Sequence, residues 1–196
     1  MKAFSLSGSP RENVGKKDAA KLRKNEMVPC VLYGGEQQHY FAVKYRDLTH
    51  LVYTPEVYTV ALNLGGKEFK ALMQEIQFHP VNDSIMHIDF LLMDESKPVV
   101  IDIPVKVAGS SIGVKQGGKL VINVRKLKVR ALPKNLPDFV EVNVEHLDIG
   151  QAVKVGSVSM EGVTFLDAPN VVIAAVRMTR AAAAAAAAEA APAKKK

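Results

Sequence analysis

The chain has 196 residues, of which 26 are Lys or Arg, 20 are Asp or Glu, five are His, one is Cys and none is Trp, for a formal charge of +6. With 48% apolar residues it can bury a core, which excludes extended disorder over most of its length. A single cysteine excludes a disulfide framework and fits a reducing compartment.

Residues 1–10 carry one Lys and then alternate Phe4, Ser5, Leu6 and Ser7, with no apolar stretch of signal-peptide length. That alternation predicts a strand over 3–9. A short helix is expected over 18–25, with Asp18 as its cap, followed by strands over 28–33 and 39–44 and a second helix over 46–53 from the spacing of Leu48, Leu51 and Val52. Cys30 falls inside the apolar strand 28–33 and reads as a buried structural thiol. Tyr58, Val60, Leu62 and Leu64 then share one face, and Gly65-Gly66 supplies the positive φ of a tight hairpin turn into a strand over 67–78. A further strand is expected over 85–93. Six strands and two or three short helices in about 95 residues suggest a small β-barrel.

After Asp94-Glu95-Ser96-Lys97-Pro98 a second series of strands is expected, over 99–107, 119–132, 139–144, 153–158 and 171–178, punctuated by prolines and without an obvious central helix. The fold class is therefore mainly β. A six-stranded barrel domain over 1–95 precedes an antiparallel all-β domain over 96–180, and a flexible Ala/Lys tail over 181–196 ends in three lysines after Pro192. Outside the alanine tract the longest apolar run is 171–176, far short of the ~20 residues of a membrane span, so no membrane partner is expected and the compartment is read as cytoplasmic.

Charge is divided unevenly. Residues 1–95 carry 11 basic and 12 acidic residues, whereas 96–180 carry 12 basic and 7 acidic. Two positive clusters stand out: residues 11–24 with six bases and two acids, and residues 115–134 with seven bases and no acid. Each fits either a solvated surface or a polyanion, but like charges in a strand repel unless something anionic lies nearby.

Several patterns imitate catalytic motifs. Gly109-Ser110-Ser111-Ile112-Gly113 matches G-x-S-x-G, with Asp138 and His146 following in hydrolase order, yet the strand–elbow–helix context is missing. Gly113 and Gly118-Lys119 approach the phosphate-binding P-loop, but Leu120 stands where a hydroxyl should reach the metal. His79 and His87 are eight apart and Cys30 has no nearby partner, so no zinc spacing exists. No catalytic residue, metal, cofactor or small-molecule substrate is expected.

The constellation that carries a function is polar and cationic. Lys17, Lys21 and Lys24 fall at i, i+4 and i+7 on one side of the first helix, an arrangement that costs a free helix stability but that a phosphate backbone would reward. Gln74, Gln77, His87 and Asp89 lie in two segments expected to pair as strands, and His87 and Asp89 project from one face. An imidazole can meet phosphate or base, and a carboxylate accepts from a 2′-hydroxyl or a guanine edge, groups that RNA displays in its shallow minor groove. A hydrogen-bonded His–Asp pair without a ligand is the alternative.

The order of Arg11-x-x-x-Gly15-Lys16, Lys21-Leu22-Arg23, Pro29-Cys30-Val31-Leu32-Tyr33-Gly34-Gly35, Gln74-Glu75-Ile76-Gln77-Phe78-His79-Pro80 and His87-Ile88-Asp89-Phe90 resembles the bacterial large-subunit ribosomal proteins of the L25 family. The added β domain, with Ile112-Gly113-Val114 to Gly117-Gly118 and the basic strand after it, resembles the long two-domain form also called general stress protein Ctc. The resemblance covers about residues 1–180. It implies a structural, non-enzymatic protein of the large (50S) subunit whose N-terminal barrel binds 5S ribosomal RNA in the central protuberance, with 23S ribosomal RNA and neighbouring ribosomal proteins as further partners.

On matching positions it implies RNA contacts by Arg11, Lys16, Lys21, Arg23, Tyr33, Gln74, Gln77, His87 and Asp89, beside the candidates Lys17 and Lys24. Phe78 stands where the family often has Arg, and Lys21 where Arg is common, so the bidentate fork of Arg is lost there. The same resemblance implies a barrel topology shared with the anticodon-binding domain of glutaminyl-tRNA synthetase. Lys126, Lys128 and Arg130 share one strand face and form a possible second basic surface, suited to more ribosomal RNA or to an acidic protein. An RNA-binding adaptor acting off the ribosome, linked to stress, is the alternative role, and a Ser111 hydrolase the remote one.

Overall fold

A computed structural model describes residues 2–179. The strands β1 (Lys2–Pro10), β2 (Met27–Tyr33), β3 (His39–Lys44), β4 (Tyr58–Leu64), β5 (Lys67–Phe78) and β6 (Ile85–Leu92) close into a barrel in the order β1-β3-β2-β6-β5-β4. Four neighbouring pairs are antiparallel, while β1 with β4 and β2 with β6 run parallel. Parallel neighbours require crossover connections. The helices α1 (Lys16–Lys24) and α2 (Tyr45–Val52) lie within two of those connections.

Alternation decides the interior. On β6, Ile88 and Phe90 are fully buried, and across it Cys30 and Leu32 of β2 face the same core. The Phe41 and Phe90 rings, both without exposed surface, lie 5.7 Å apart between centroids. Gly8 of β1 has no room for a side chain, since a Cβ there would come within 2.6 Å of the Phe41 ring. Helix α2 closes part of the barrel with Leu48 and Leu51, its two buried residues. Gly65 and Gly66 adopt φ of 59° and 89° in the β4–β5 turn, and the Gly66 amide donates to Asn63 Oδ1 at 3.1 Å.

Helix α1 differs from its expected form. It begins at Lys16, not at Asp18, and its N-cap is Gly15 with no side-chain cap. Asp18 sits in the first turn and its carboxylate is taken by Arg11.

Chain contacts divide the molecule into two units, one holding the residues up to Ile101 together with Leu132–Asp138, the other Asp102–Ala131 and the residues from Phe139 on. Beyond the barrel, the strands form a four-stranded sheet and a three-stranded sheet, which lie in the second unit apart from the first three residues of β7. Strands β7 (Val99–Ala108), β9 (Lys126–Ala131), β10 (Val140–Asn143) and β12 (Val163–Phe165) form the first in the order β10-β7-β9-β12. Strands β8 (Lys119–Ile122), β11 (Ala152–Lys154) and β13 (Val172–Arg177) form the second in the order β11-β13-β8.

Here four expectations change. The single strand expected over 119–132 is two strands in different sheets. The break falls at 123–125, where the Asn123 and Val124 amides both donate to the Ile173 carbonyl, at 2.9 and 3.3 Å, and Val105 donates to the Arg125 carbonyl. The strand expected over 153–158 stops at Lys154 and turns through a 3-10 segment, Val155–Ser157. β12 and the four-residue helix α3 (Ile112–Lys115) were not expected at all. The domain is also not wholly antiparallel, because β10 runs parallel to β7.

The tail expected to be flexible, 181–196, lies outside the described residues.

The two phenylalanines give the barrel its largest buried side chains. Phe41→Ala should lower unfolding free energy by about 3–5 kcal/mol in urea titrations, since it removes a ring and leaves a cavity against Phe90. A loss below about 1 kcal/mol would mean that the core collapses around the gap.

Candidate nucleic-acid interface

Because Ile88 and Phe90 point inward, His87 and Asp89 must point outward, and the register across the barrel wall fixes their neighbours. Gln77 of β5 pairs with His87 and Glu75 with Asp89, while Val31 of β2 lies on the other side of Asp89. One outer patch of three strands therefore collects Gln77, His87, Glu75 and Asp89, with Tyr33 of β2 beside it.

His87 Nδ1 lies 2.7 Å from Asp89 Oδ1, and both side chains keep just over a quarter of their surface open, 28% and 29%. The pair is thus a preset unit. The contact leaves His87 Nε2 and Asp89 Oδ2 outside it, and a carboxylate oxygen accepts hydrogen bonds without donating any. Such a pair accepts from a hydroxyl or amino group more readily than it holds a phosphate. Glu75 strengthens that bias, since it adds a second carboxylate opposite Asp89.

Tyr33 senses both acids. Its phenol is held above its ordinary range, first by partial burial and then by the negative charges of Asp89 and Glu75. At neutral pH the hydroxyl therefore keeps its proton and can donate.

Gln74 stands apart from this patch. The β5–β6 register shifts between Met73 and Glu75, which makes Gln74 the extra residue of a bulge, and its Nε2 donates to the Val100 carbonyl at 2.8 Å. The shift has a second effect, for it brings Glu75 and Gln77 onto the outward side.

The basic residues of 11–24 separate into two kinds. Lys16, Lys17, Lys21 and Lys24 are exposed, and none of them makes an ion pair among the described residues. Arg11 and Arg23 are drawn in. Arg11 Nη2 meets Asp18 Oδ2 at 2.7 Å with only 9% of its side chain open, and its Nε is buried without a hydrogen-bond partner. Arg23 Nε donates to the Met86 carbonyl at 3.1 Å. That bond ties α1 to β6 one residue from His87, so the arginine holds the lysine-bearing helix beside the His–Asp pair.

Of the residues expected to touch RNA, then, Tyr33, Gln77, His87 and Asp89 share one patch, the four lysines form a rim on α1, and Arg11, Arg23 and Gln74 are engaged within the fold. Sequence reasoning missed Glu75. Its signal was the bulge, which no periodic pattern reveals. In the second unit Lys126, Lys128 and Arg130 are all exposed on one side of β9.

The motif imitations dissolve into structure. Ser111 is 1% exposed, and its Oγ accepts from the Val114 amide as the N-cap of α3. Gly118 donates to the Gly113 carbonyl at 2.8 Å, where a Cβ at Gly118 would come within 2.6 Å of that oxygen. Among the described residues no group of His, Cys, Asp and Glu could hold a metal ion, and no helix is long and apolar enough to cross a membrane.

Comparisons with known proteins meet this geometry in two places. Residues 6–90 match the family described as "Ribosomal L25p family", and residues 98–180 match "Ribosomal protein TL5, C-terminal domain". Among similar proteins, the "Large ribosomal subunit protein bL25" of Phocaeicola vulgatus is 46% identical over 189 residues, covering 93% of this chain and 96% of that protein. The protein of the same name from Porphyromonas gingivalis is 45% identical over 184 residues with the same coverage, and that from Bacteroides fragilis is 50% identical over 162 residues, 83% of each chain.

The raised phenol gives a direct check of the patch. Removing the acids by Asp89→Asn with Glu75→Gln should lower the Tyr33 pKa in a spectrophotometric titration read against Tyr33→Phe. The sign also sets a stability window: Tyr33 contributes fully below the ordinary phenol value of about 10, and the contribution is lost as pH rises through its higher folded value. An unchanged titration in the double variant would separate Tyr33 from the acids.

Proposed function

The chain belongs to the ribosomal L25p family, in the form that carries a TL5-type C-terminal domain, and from that membership we propose that its barrel binds 5S ribosomal RNA in the central protuberance. The family is one of structural, non-enzymatic proteins of the large ribosomal subunit, so the site is read as a binding surface on a cytoplasmic particle. Domain limits of 1–95 for RNA binding and 96–180 for the second domain are part of the same proposal.

The observation that carries the reading is the pairing of an acidic, hydrogen-bonding centre with a cationic rim. Two carboxylates at the centre repel phosphate, whereas Lys16, Lys17, Lys21 and Lys24 attract it. A nucleic-acid helix satisfies both demands when its backbone tracks the lysines and its groove edge faces His87 and Asp89. Phosphate contacts then position the RNA, and the centre reads it. Carboxylates suit the 2′-hydroxyls and guanine amino groups of an RNA minor groove, and an imidazole can meet phosphate or base beside them. Tyr33 adds a donor, and Gln77 can serve as either donor or acceptor.

The two zones should respond differently in binding assays with 5S ribosomal RNA. Lys17→Ala should make the slope of log affinity against log salt shallower by about one, which is the loss of one phosphate contact. Asp89→Ala should cost about 1–3 kcal/mol and leave that slope nearly unchanged. Full affinity retained by His87→Ala and Asp89→Ala together would remove the assigned centre.

A further inference from the structure

The second unit carries a charged face that the barrel's function does not use. In β9 the residues Leu127, Val129 and Ala131 are buried, so the alternate residues Lys126, Lys128 and Arg130 are all turned outward. Alternate residues of a strand lie about 6.6 Å apart, so three cations stand in a row over roughly 13 Å. None of the three makes an ion pair among the described residues. The acid nearest in the hydrogen-bond pattern, Asp167, spends its Oδ2 on the backbone amide of Lys128 at 2.8 Å.

The surroundings extend this face. Thr164 of β12 lies opposite Arg130, and Leu166, two residues further on, donates its amide to the Lys128 carbonyl and is exposed beside the row. On β7, Lys106 places its ammonium 4.1 Å over the Phe139 ring, with Glu141 across from it on β10.

Like charges in a row along one strand face repel one another. Its chemistry discriminates between possible partners. The row offers hydrogen-bond donors only, and two of its three members are lysines, which are depleted from protein–protein interfaces. Such interfaces are centred on desolvated apolar anchors, whereas the apolar residues of β9, Leu127, Val129 and Ala131, are all buried on its other side. Lysine and arginine in regular array are the ordinary counter-charge to phosphate.

We propose that the outward face of β9, made by Lys126, Lys128 and Arg130, is a second RNA-binding surface that grips phosphate backbone independently of the barrel. The outward side chains of β9 include no carboxylate, so this face selects for charge and helix shape, not for sequence. The chain thereby carries two separate RNA-binding surfaces.

The test uses the full chain with Lys16, Lys17, Lys21 and Lys24 changed to Ala, and a generic RNA duplex as the probe. The background protein should still bind the duplex at low salt. Adding K126Q, K128Q and R130Q should make the salt slope shallower by about three, with far-ultraviolet circular dichroism unchanged. The same slope with and without these three changes would overturn the proposal. A photo-crosslinking residue at Thr164, in chains assembled into large ribosomal subunits, provides a second arm. Crosslinks to ribosomal RNA support the surface. Crosslinks to protein alone, or none, overturn it.

Discussion

Alternation along β6 is the constraint on which the rest depends. Ile88 and Phe90 are committed to the barrel core, and closure of the wall fixes the residues on each side. Once those two are inside, His87 and Asp89 have no other direction to take. The pairings to β5 and β2 then decide which side chains join them, so a slip of one residue in register would bury the polar pair and expose the core. Site and stability therefore share one hydrogen-bonding frame.

The electrostatics of the barrel follow a division of labour between arginines and lysines. Arginine's planar fork suits fixed, partly buried bonds, and here Arg11 and Arg23 make such bonds within the protein. The lysines, long and strongly hydrated, are left outside where their charge reaches a ligand. This explains how a barrel domain close to neutral can still present a basic rim, and why net charge alone locates nothing: opposing carboxylates such as Glu75 and Asp89 lie on β5 and β6, far along the chain from the lysines of α1.

Much of this was legible in the sequence, for a physical reason in each case. Strict two-residue periodicity marked the strands of the barrel, the Gly65-Gly66 pair marked its tight turn, and Leu48 with Leu51 marked α2. The same periodicity placed Lys126, Lys128 and Arg130 on one side of a strand, which the burial of Leu127 and Val129 bears out. What escaped was non-periodic. A bulge at Gln74 changes which residues face outward, and no local pattern announces it. The change of sheet between β8 and β9 depends on bonds to Ile173, fifty residues distant in the chain, and β12 is only three residues long. Asp18 looked like a cap because its type favours one, but the ion pair with Arg11 competes for the same carboxylate. In the site, the structure separated the side chains that face outward from those that hold the scaffold.

Helix α1 has nine residues, and not one of them is buried. A helix of that length does not persist in water by itself, and its lysines add repulsion between successive turns. Its order is borrowed through the Arg23 bond to the barrel wall and the Arg11–Asp18 pair. Local opening of this helix therefore costs little, and its amide hydrogens are expected to exchange with solvent sooner than those of β2 or β6. An anion lying along the lysines relieves the repulsion and closes that opening. Amide exchange in residues 16–24 therefore reads out occupancy of the surface, and the measured affinity for any polyanion includes the free energy of ordering this helix.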